Sequence, residues 1–355
     1  MARKPGGKKR KKPSLRAGAR LLQSRRLRLG IAAVSLLGLT GLLLQFTAQV
    51  RTTQEQTLRL PLEPQKREAW RSELAALFPR YTLWHWWVRW GGRLLAGEYQ
   101  VRPGERAFVV WNRLRKGLQK PFRFYLRPQR SPAHLAGFLG RTLAHDSLSW
   151  ALAFQSYPWQ EWGFDRHTWL LVFLPDVYEV YWTVPPAHLF QRLYQAYQNF
   201  WNADRRKRAE ALGLTPIEVG ILASIVEHES YRKSEWPLIA SVYLNRLRLG
   251  MPLQADPTVI YAVGDFTAQR VTHRMLEKDS PYNTYKRKGL PPGPIGNPSR
   301  EAIEAVLNYT PSPYLYFCAR PDNSGYHDFS ETYAEHLVKA RRYQQVLTRW
   351  LSQKK

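Results

Sequence analysis

The longest run of apolar positions in the chain lies near its N-terminus. Between Arg28 and Arg51 there are 22 residues without a charged side chain, LGIAAVSLLGLTGLLLQFTAQV. A bilayer core about 30 Å thick is spanned by roughly 20 apolar residues in a helix. Signal peptides have shorter apolar cores, of roughly 7–15 residues, and Ala-Gln-Val at 48–50 is a poor cleavage site. The pattern therefore predicts a retained transmembrane helix over residues 29–50.

Beyond the span, the pattern of apolar and polar positions changes several times. Residues 51–70 are polar, contain two prolines and are predicted to form a stalk. Residues 71–125 mix helical and strand-like runs around the tryptophan-rich segment 84–90, whose rings are expected mainly in the core. Stacking on sugar rings or a place near the bilayer surface are the alternatives. Residues 126–214 contain helical patterns interrupted by proline, and from 215 onward a strong helix precedes loops rich in proline, glycine and asparagine.

The best-defined helix start in the sequence is TPIE at 215–218, a capping box with proline at the first helical position. Downstream, Glu229 falls within the apolar stripe of this helix beside Ile225 and Val226, whereas Glu227 points to the opposite side. A carboxyl among apolar neighbours loses hydration, which favours the protonated form that a general acid needs. The alternative is a helix-end glutamate that reaches past the core into solvent, and the helix alone leaves both interpretations open.

The net charge of +27 is unevenly distributed. Residues 1–28 hold 12 basic residues and no acidic one, whereas the 20 residues after the span hold four basic residues. By the positive-inside rule the N-terminus is expected in the cytoplasm and the bulk of the chain outside it. A basic tail also suits nucleic acid, but beside a span it is explained by topology and anionic lipid, so no nucleic-acid partner is expected.

Few residues are available for metal or disulfide chemistry. The single cysteine, Cys318, excludes an intramolecular disulfide and a cysteine-based metal centre. The pair His228-Glu229 lacks the second histidine of a zinc protease, because Arg232 occupies that position. No metal and no cofactor are therefore expected. A two-carboxylate glycosidase would need a second acid, for which Glu227, Glu235 and Asp256 are candidates.

Four segments carry a resemblance to a known family. LASIVEHES, PLIASVYLNRLRLGMPLQADPTVIYAVG (237–264), SPYNTYKRKGLPPGPIGNPSREAI (280–303) and YLYFCARPDNSGYHDFSETYAEH (314–336) together resemble the YceG-like endolytic murein transglycosylases, the MltG family. AGEYQV (96–101) and FLPDVYEV (173–180) resemble weaker landmarks of the same family. The resemblance implies an α+β fold with an N-terminal transmembrane helix, a small LysM-like module and a mixed α/β catalytic domain.

The resemblance also implies a reaction and a catalytic residue. The catalytic acid of the family precedes a Ser or Thr near the end of this helix, which corresponds to Glu229 before Ser230. Glu229 would protonate the glycosidic oxygen between N-acetylmuramic acid and N-acetylglucosamine, and would then act as base on the muramoyl 6-hydroxyl. The product would carry a 1,6-anhydro end, and one carboxyl would suffice.

Further residues are candidates for binding the substrate. The run 254–258 suits hydrogen bonds to sugar hydroxyls or fixing of its own loop, and the loop 283–285 suits an N-acetyl sugar. Arg246 could instead pair with a surface acid, and His327 could make a structural hydrogen bond. The candidates are Ser230, Glu227, Asn245, Arg246, Gln254, Asp256, Thr258, Asn283, Tyr285 and His327.

The expected organisation follows from these features. The segments are a basic cytoplasmic tail at 1–28, the span at 29–50, a stalk with a degenerate LysM-like module at 51–125, a connecting α+β region at 126–214 and a YceG-like catalytic domain at 215–355. The expected protein is a single-pass protein of the cytoplasmic (inner) membrane, with peptidoglycan strands as substrate and peptidoglycan synthases as candidate partners. A catalytically silent scaffold that binds the cell wall is the alternative function.

Overall fold

The computed structural model describes residues 15–268 and 270–353 of the chain. The chain divides into two compact units after Lys120. Both units combine helices with short antiparallel strand pairs, so the predicted α+β class is confirmed. Residues 1–14 of the predicted basic tail lie outside the described residues.

The first unit contains a long N-terminal helix followed by one strand pair and three short helices. Its elements are α1 (Leu15–Thr47), β1 (Gln56–Leu60), α2 (Pro64–Ala76), α3 (Leu83–Trp90), β2 (Gly97–Val101) and α4 (Ala107–Lys116). Strands β1 and β2 are antiparallel, with Leu58 opposite Tyr99. Tyr99, Leu60, Phe78 and Val110 belong to the core that the short helices cover. The unit therefore has an apolar core of its own.

Helix α1 carries the apolar segment that is predicted to span a membrane. From Arg25 to Thr47 its large apolar side chains are exposed rather than packed inside the protein. Among the residues described, this is a helix long and apolar enough on its own to cross a bilayer. It ends at Thr47, three residues before the predicted limit. Signal sequences show the same pattern, so the retained anchor and its topology stay predictions.

The tryptophan-rich run forms α3 and is divided between core and surface. Trp84 and Trp87 pack against the core of the first unit. Trp86 and Trp90 are 50% and 73% exposed, and they lie on the helix face opposite the fully buried Val88. The expectation that the tryptophans are core residues is thus met by only two of the four.

The second unit is larger and mainly helical. Its elements are β3 (Phe122–Leu126), α5 (Pro132–Thr142), α6 (Ser147–Ser156), β4 (Asp176–Val180), α7 (Pro186–Phe200), α8 (Ala203–Ala211), α9 (Pro216–Glu229), α10 (Trp236–Arg248), α11 (Asp256–Val263), α12 (His273–Leu276), α13 (Arg300–Leu307), β5 (Tyr316–Ala319), β6 (His327–Ser330) and α14 (Tyr333–Gln353). Short 3-10 helices occur at Trp159–Trp162, Trp169–Val172 and Lys233–Glu235.

One apolar core extends through most of the second unit. Its buried side chains run from Phe124 in β3 to Leu307 at the end of α13, and include Trp150 and Phe173. Strand β4 pairs antiparallel with β3. The stretch predicted as a connecting region, 126–214, therefore shares its core with the segment that follows it.

Helix α9 lies within this core. Its predicted capping box is confirmed, because Thr215 Oγ1 accepts a hydrogen bond from the Glu218 N–H at 3.2 Å and Glu218 Oε2 accepts one from the Thr215 N–H at 2.7 Å. Residues 219–226 are all buried, so both sides of the helix are covered there. On one side Gly220 packs so closely against Leu171 that an added Cβ would lie 2.8 Å from its side chain. The two ends of α9 are partly exposed, and the last turn carries both glutamates, Glu227 and Glu229.

The proline- and glycine-rich loop at 289–298 passes close to the end of α9. Asn297 is fully buried and donates from Nδ2 to the Phe173 carbonyl oxygen at 2.6 Å. An added Cβ at Gly296 would lie 2.8 Å from the Gln129 carbonyl oxygen, which leaves room for glycine alone. Backbone packing therefore gives this loop its shape.

Strands β5 and β6 form an antiparallel pair that contains the single cysteine. Cys318 lies opposite Asp328 and is half-buried. Burial raises the pKa of its thiol, and the Asp328 carboxylate adds to this effect against the opposing charge of Lys339.

Candidate active site

Glu229 is the last residue of α9, and its carboxyl group is held beneath the protein surface. The helix ends here because Ser230 adopts an extended backbone, with φ −143°. The Glu229 Oε2 atom is covered and has no hydrogen-bond partner among the described residues. Burial, and secondly the charge of Asp256, raise the pKa of Glu229 to about 8. The carboxyl group is therefore mainly protonated at neutral pH.

Two groups from α10 partly oppose the rise in the pKa of Glu229. The Tyr243 hydroxyl and the Arg246 guanidinium both favour the ionised form of Glu229, but burial outweighs them. The Tyr243 hydroxyl is itself buried next to the Glu229 carboxyl, close enough to affect its pKa although the two do not meet the geometry of a full hydrogen bond. Burial, with the neighbouring Glu229 carboxyl, raises the pKa of Tyr243, which stays a neutral phenol. The site thus contains a protonated carboxyl and a neutral phenol next to each other.

Arg246 and Asn245 hold backbone segments around the site. The buried Arg246 donates from Nε to the Leu315 carbonyl oxygen and from Nη1 to that of Leu253, both at 2.7 Å. Asn245 donates from Nδ2 to the carbonyl oxygen of Tyr314 at 3.0 Å. In the described part of the chain Arg246 has no carboxylate partner, so the surface ion pair considered from sequence does not form. Its charge instead contributes to the field at Glu229.

The run from 254 to 258 has one outward-facing part and one internal part. Gln254 is exposed and has φ +52°, a left-handed conformation that is uncommon for a residue with a side chain. Asp256 is also exposed, and its Oδ1 accepts a hydrogen bond from the Tyr285 hydroxyl at 2.5 Å. Thr258 is fully buried and hydrogen-bonded to Thr284 at 2.8 Å. Of these three side chains, Gln254 and Asp256 are exposed and can meet a ligand directly, whereas Thr258 cannot.

The loop at 283–285 also combines a buried residue, Asn283, with a partly exposed one, Tyr285. Asn283 is fully buried, and its Nδ2 donates to the carbonyl oxygens of Leu276 and Lys278 at 2.9 and 2.8 Å. The Tyr285 ring lies nearby, with its hydroxyl on Asp256. Burial and this hydrogen bond raise the pKa of Tyr285, so its proton stays in place. Asn283 therefore fixes the loop that presents Tyr285.

Ser230 and His327 are joined through a buried glutamate. The Ser230 hydroxyl donates to Glu235 Oε2 at 3.3 Å, and the same oxygen lies 2.9 Å from His327 Nδ1. Glu235 Oε1 accepts from the His327 backbone N–H at 2.8 Å. Strand β6 is thereby tied to the residue that ends α9. Glu235, a candidate second acid from sequence, is fully engaged in this connection.

Glu227 lies away from this group of residues. Its Oε2 accepts a hydrogen bond from the Ser299 N–H at 2.9 Å, at the start of α13. Burial raises the pKa of Glu227, and the contact with Ser299 opposes that change. The two glutamates of α9 thus occupy different surroundings.

Sequence reasoning missed Tyr243 and Arg130, and it considered His228 only as a zinc ligand. Tyr243 lies three positions before Arg246 and shares its helix face, which is a signal that the sequence contains. Arg130 forms no hydrogen bond or ion pair within the described chain, and its guanidinium lies 5.4 Å from the centre of the Phe266 ring. Burial and Arg130 lower the pKa of His228 to about 4, so this histidine is neutral. No local pattern in the sequence distinguishes Arg130.

In the part of the chain that the structure describes, no group of three or more His, Cys, Asp or Glu is placed to hold an ion. The chemistry available at the site is proton transfer. A carboxyl that is protonated near pH 7, next to a second carboxylate and two tyrosines, is a candidate acid–base site at the end of a core helix.

The comparison with known families identifies the family of the chain. The chain belongs to the YceG-like family, whose sequence profile matches residues 69–342. The match confirms the resemblance inferred from the motifs. It covers most of the second unit and the part of the first unit from residue 69 onward.

Relatives and a solved structure add further comparisons. A protein from Bacillus subtilis named endolytic murein transglycosylase is 46% identical over 122 residues, which are 34% of this chain and 33% of that protein. One of the same name from Streptococcus pneumoniae D39 is 42% identical over 113 residues, 30% of this chain and 20% of that protein. The chain thus aligns with a third or less of these relatives. A crystal structure of a yceG-like protein from Listeria monocytogenes shares the fold, with a TM-score of 0.50 and 24% identity over 81% of this chain and 99% of that one.

The raised pKa of Glu229 predicts a pH-dependent stability. Between the ordinary value of 4.5 and the folded value of about 8 the folded protein holds one more proton than the unfolded chain. The free energy of unfolding should therefore fall as pH rises through this interval, by at most about 1.4 kcal/mol per pH unit. Glu229→Gln should remove this part of the slope, as measured by urea unfolding of the full chain in detergent at several pH values.

The matched control for that experiment is Glu301→Gln, because Glu301 is an exposed glutamate of the same unit. It should leave the slope as in the wild type. Equal slopes for wild type and Glu229→Gln would show that the Glu229 carboxyl is not held protonated.

Proposed function

We propose that the protein is a lytic transglycosylase, a lyase that cleaves the MurNAc-GlcNAc bond within peptidoglycan strands without consuming water. The observation that carries the proposal is the Glu229 carboxyl, whose Oε2 atom is covered and lacks a hydrogen-bond partner among the described residues, and whose raised pKa keeps it protonated at neutral pH. Membership of the YceG-like family and the names of the relatives support the choice of substrate. A protonated carboxyl is the group that breaking a glycosidic bond requires.

The reaction needs one carboxyl group acting twice. Glu229 gives its proton to the glycosidic oxygen as the bond from that oxygen to C1 of the muramoyl residue breaks. The muramoyl 6-hydroxyl oxygen then bonds to C1, and the hydroxyl proton passes to Glu229. The carboxyl group returns to its starting form, and the new chain end is a 1,6-anhydro ring.

The residues around Glu229 have two roles in this proposal, binding of the substrate and positioning of the residues that bind it. Gln254, Asp256 and Tyr285 bind the substrate, because their side chains are at least partly exposed beside the acid. Asp256 can also offset the positive charge that develops at C1. The remaining candidates position these groups from behind, since their polar atoms are occupied within the protein. They are Ser230, Asn245, Arg246, Thr258, Asn283 and His327. Glu227 is outside this set, because its carboxylate accepts the Ser299 N–H at the start of α13.

We also propose the cellular arrangement. The exposed apolar face of α1 and the basic residues before it support a single-pass anchor in the cytoplasmic membrane, with the N-terminus inside and the site outside. The compact strand–helix–helix–strand arrangement at residues 56–101 supports the small LysM-like module. This arrangement would let the enzyme cut strands close to the membrane.

Replacing the acid should remove activity. Glu229→Gln keeps the size and polarity of the side chain but cannot supply a proton, so cleavage of isolated peptidoglycan should fall by about 10²-fold or more. Glu227→Gln is the matched control from the same turn of α9, and its amide oxygen can still accept the Ser299 N–H. It should retain most of the activity. The opposite ranking of the two variants would assign the acid to Glu227.

The position of Asp256 predicts the pH range of activity. Its charge raises the pKa of Glu229, so Asp256→Asn should lower that pKa and move the alkaline loss of kcat/KM down from about pH 8, by roughly one pH unit. Tyr243→Phe should move it upward, because the hydroxyl favours the ionised form. Asp279→Asn, at an exposed acid paired with Arg287, is the control. If the Asp256 and Asp279 variants gave the same dependence of kcat/KM on pH, the loss of activity at alkaline pH would not be caused by ionisation of Glu229.

The products distinguish this reaction from hydrolysis. In water enriched in oxygen-18, a transglycosylase leaves no label at the new chain ends, and mass spectrometry should find unlabelled anhydro ends that are absent with Glu229→Gln. A glycosidase that uses water would place the label on the anomeric carbon. Labelled reducing ends would refute the transglycosylase mechanism while keeping Glu229 as an acid. No cleavage by the wild type would favour the silent scaffold.

A further inference from the structure

The exposed face of α3 is directly connected to the end of the apolar segment of α1. Gln45, two residues before the end of α1, accepts a hydrogen bond from the Leu83 N–H at Oε1, at 2.7 Å. Its Nε2 donates to the Tyr81 carbonyl oxygen at 3.3 Å, and its own carbonyl oxygen accepts from the Trp84 indole N–H at 2.8 Å. The Phe46 and Trp84 rings also meet, with centroids 6.1 Å apart. The start of α3 is therefore fixed to the last turn of the apolar helix.

This attachment determines how far α3 can be from a bilayer. If α1 crosses the membrane, residues bonded to Gln45 lie at the membrane surface. The Tyr81 and Leu83 side chains at this junction are 59% and 63% exposed. Helix α3 has eight residues, so its far end is about 12 Å from its start. Its whole length is thus within reach of the lipid headgroups.

The outward side chains of α3 are those that favour such a surface. Trp86 and Trp90 lie one helical turn apart with nearly parallel rings, 15° between planes and 6.5 Å between centroids. Arg89 lies over the Trp90 ring at 5.4 Å. Tryptophan is enriched at bilayer interfaces because its ring is apolar and its N–H is polar. Arginine adds the charge that binds phosphate oxygens.

A groove beside this face is positively charged. It has a volume of about 460 Å³, and its lining includes Trp86 and Trp90 together with Arg51, Arg80 and Arg89. Within the described chain these three arginines form no ion pair, and no acidic side chain lines the groove. Arg51 follows the end of α1 by four residues, which places the groove on the same side as the junction. Anionic phosphate groups therefore complement it.

We infer that the exposed face of α3 and its arginine groove lie in the headgroup layer of the bilayer that α1 crosses, with lipid phosphates bound by Arg51, Arg80 and Arg89. This inference rests on the membrane anchor of the proposed function and does not depend on the reaction at Glu229. It assigns Trp86 and Trp90 to lipid and not to sugar. The first unit is thereby held against the membrane at two places, the helix and the face.

The test uses the full chain reconstituted into vesicles of phosphatidylcholine and phosphatidylglycerol. In a Cys318→Ala background, a single fluorescent label is attached at Leu83→Cys, Trp90→Cys or, as control, Leu118→Cys. Leu118 is an exposed residue of the same unit beyond the far end of α4. Labels at 83 and 90 should be quenched by a nitroxide on the lipid headgroup and should be several-fold less sensitive to aqueous iodide than the label at 118.

A second comparison tests the arginines. Arg80→Gln with Arg89→Gln should reduce the lipid quenching at position 90 in vesicles that contain phosphatidylglycerol, and Arg115→Gln, at an exposed arginine of α4, should not. Equal iodide sensitivity at 90 and 118 would overturn the inference. A second combination of results would also overturn it: no lipid quenching at position 90, together with loss of binding to isolated cell walls in the double variant Trp86→Ala, Trp90→Ala. That combination would assign the face to glycan. A chain that does not float with vesicles would refute the anchor, and cleavage of isolated peptidoglycan would still test the enzyme separately.

Discussion

The cost of burying a charged carboxyl is the constraint on which the candidate site depends. Glu229 ends a helix whose residues 219–226 are all buried, and no described residue donates a hydrogen bond of proper geometry to its Oε2 atom. Ionisation would place an unsolvated charge there, so the proton is retained until about pH 8. The packing that stabilises α9 and the chemistry proposed for its last residue are consequences of the same burial.

Around this acid, most polar side chains are bonded to the protein and few face outward. Arg246 and Asn283 bind backbone carbonyl oxygens, and Glu235 joins Ser230 to His327. Such contacts fix loops that have little regular structure of their own. A polar residue in a family motif can therefore be essential for position without touching a ligand.

The sequence predicts best the features that are set by neighbouring residues. The capping box at 215–218, the apolar helix and the α+β class depend on local spacing, and the structure contains them. The sequence does not reveal that the predicted connecting region at 126–214 shares one core with α9, because those contacts join distant parts of the chain. The exposure of Trp86 and Trp90 could not be predicted for the same reason, because it depends on which face of α3 is covered by α2 and α4. Tyr243 was accessible to sequence reasoning through its spacing from Arg246, whereas Arg130 was not.

The half-buried Cys318 has a consequence for redox chemistry. Disulfide exchange and oxidation proceed through the thiolate, and the raised pKa of this thiol keeps the thiolate population small. A protein with a single cysteine can form disulfides only with other molecules, which is a hazard where disulfides form readily. The position of Cys318 in strand β5, opposite Asp328, therefore lowers the reactivity of the thiol toward disulfides.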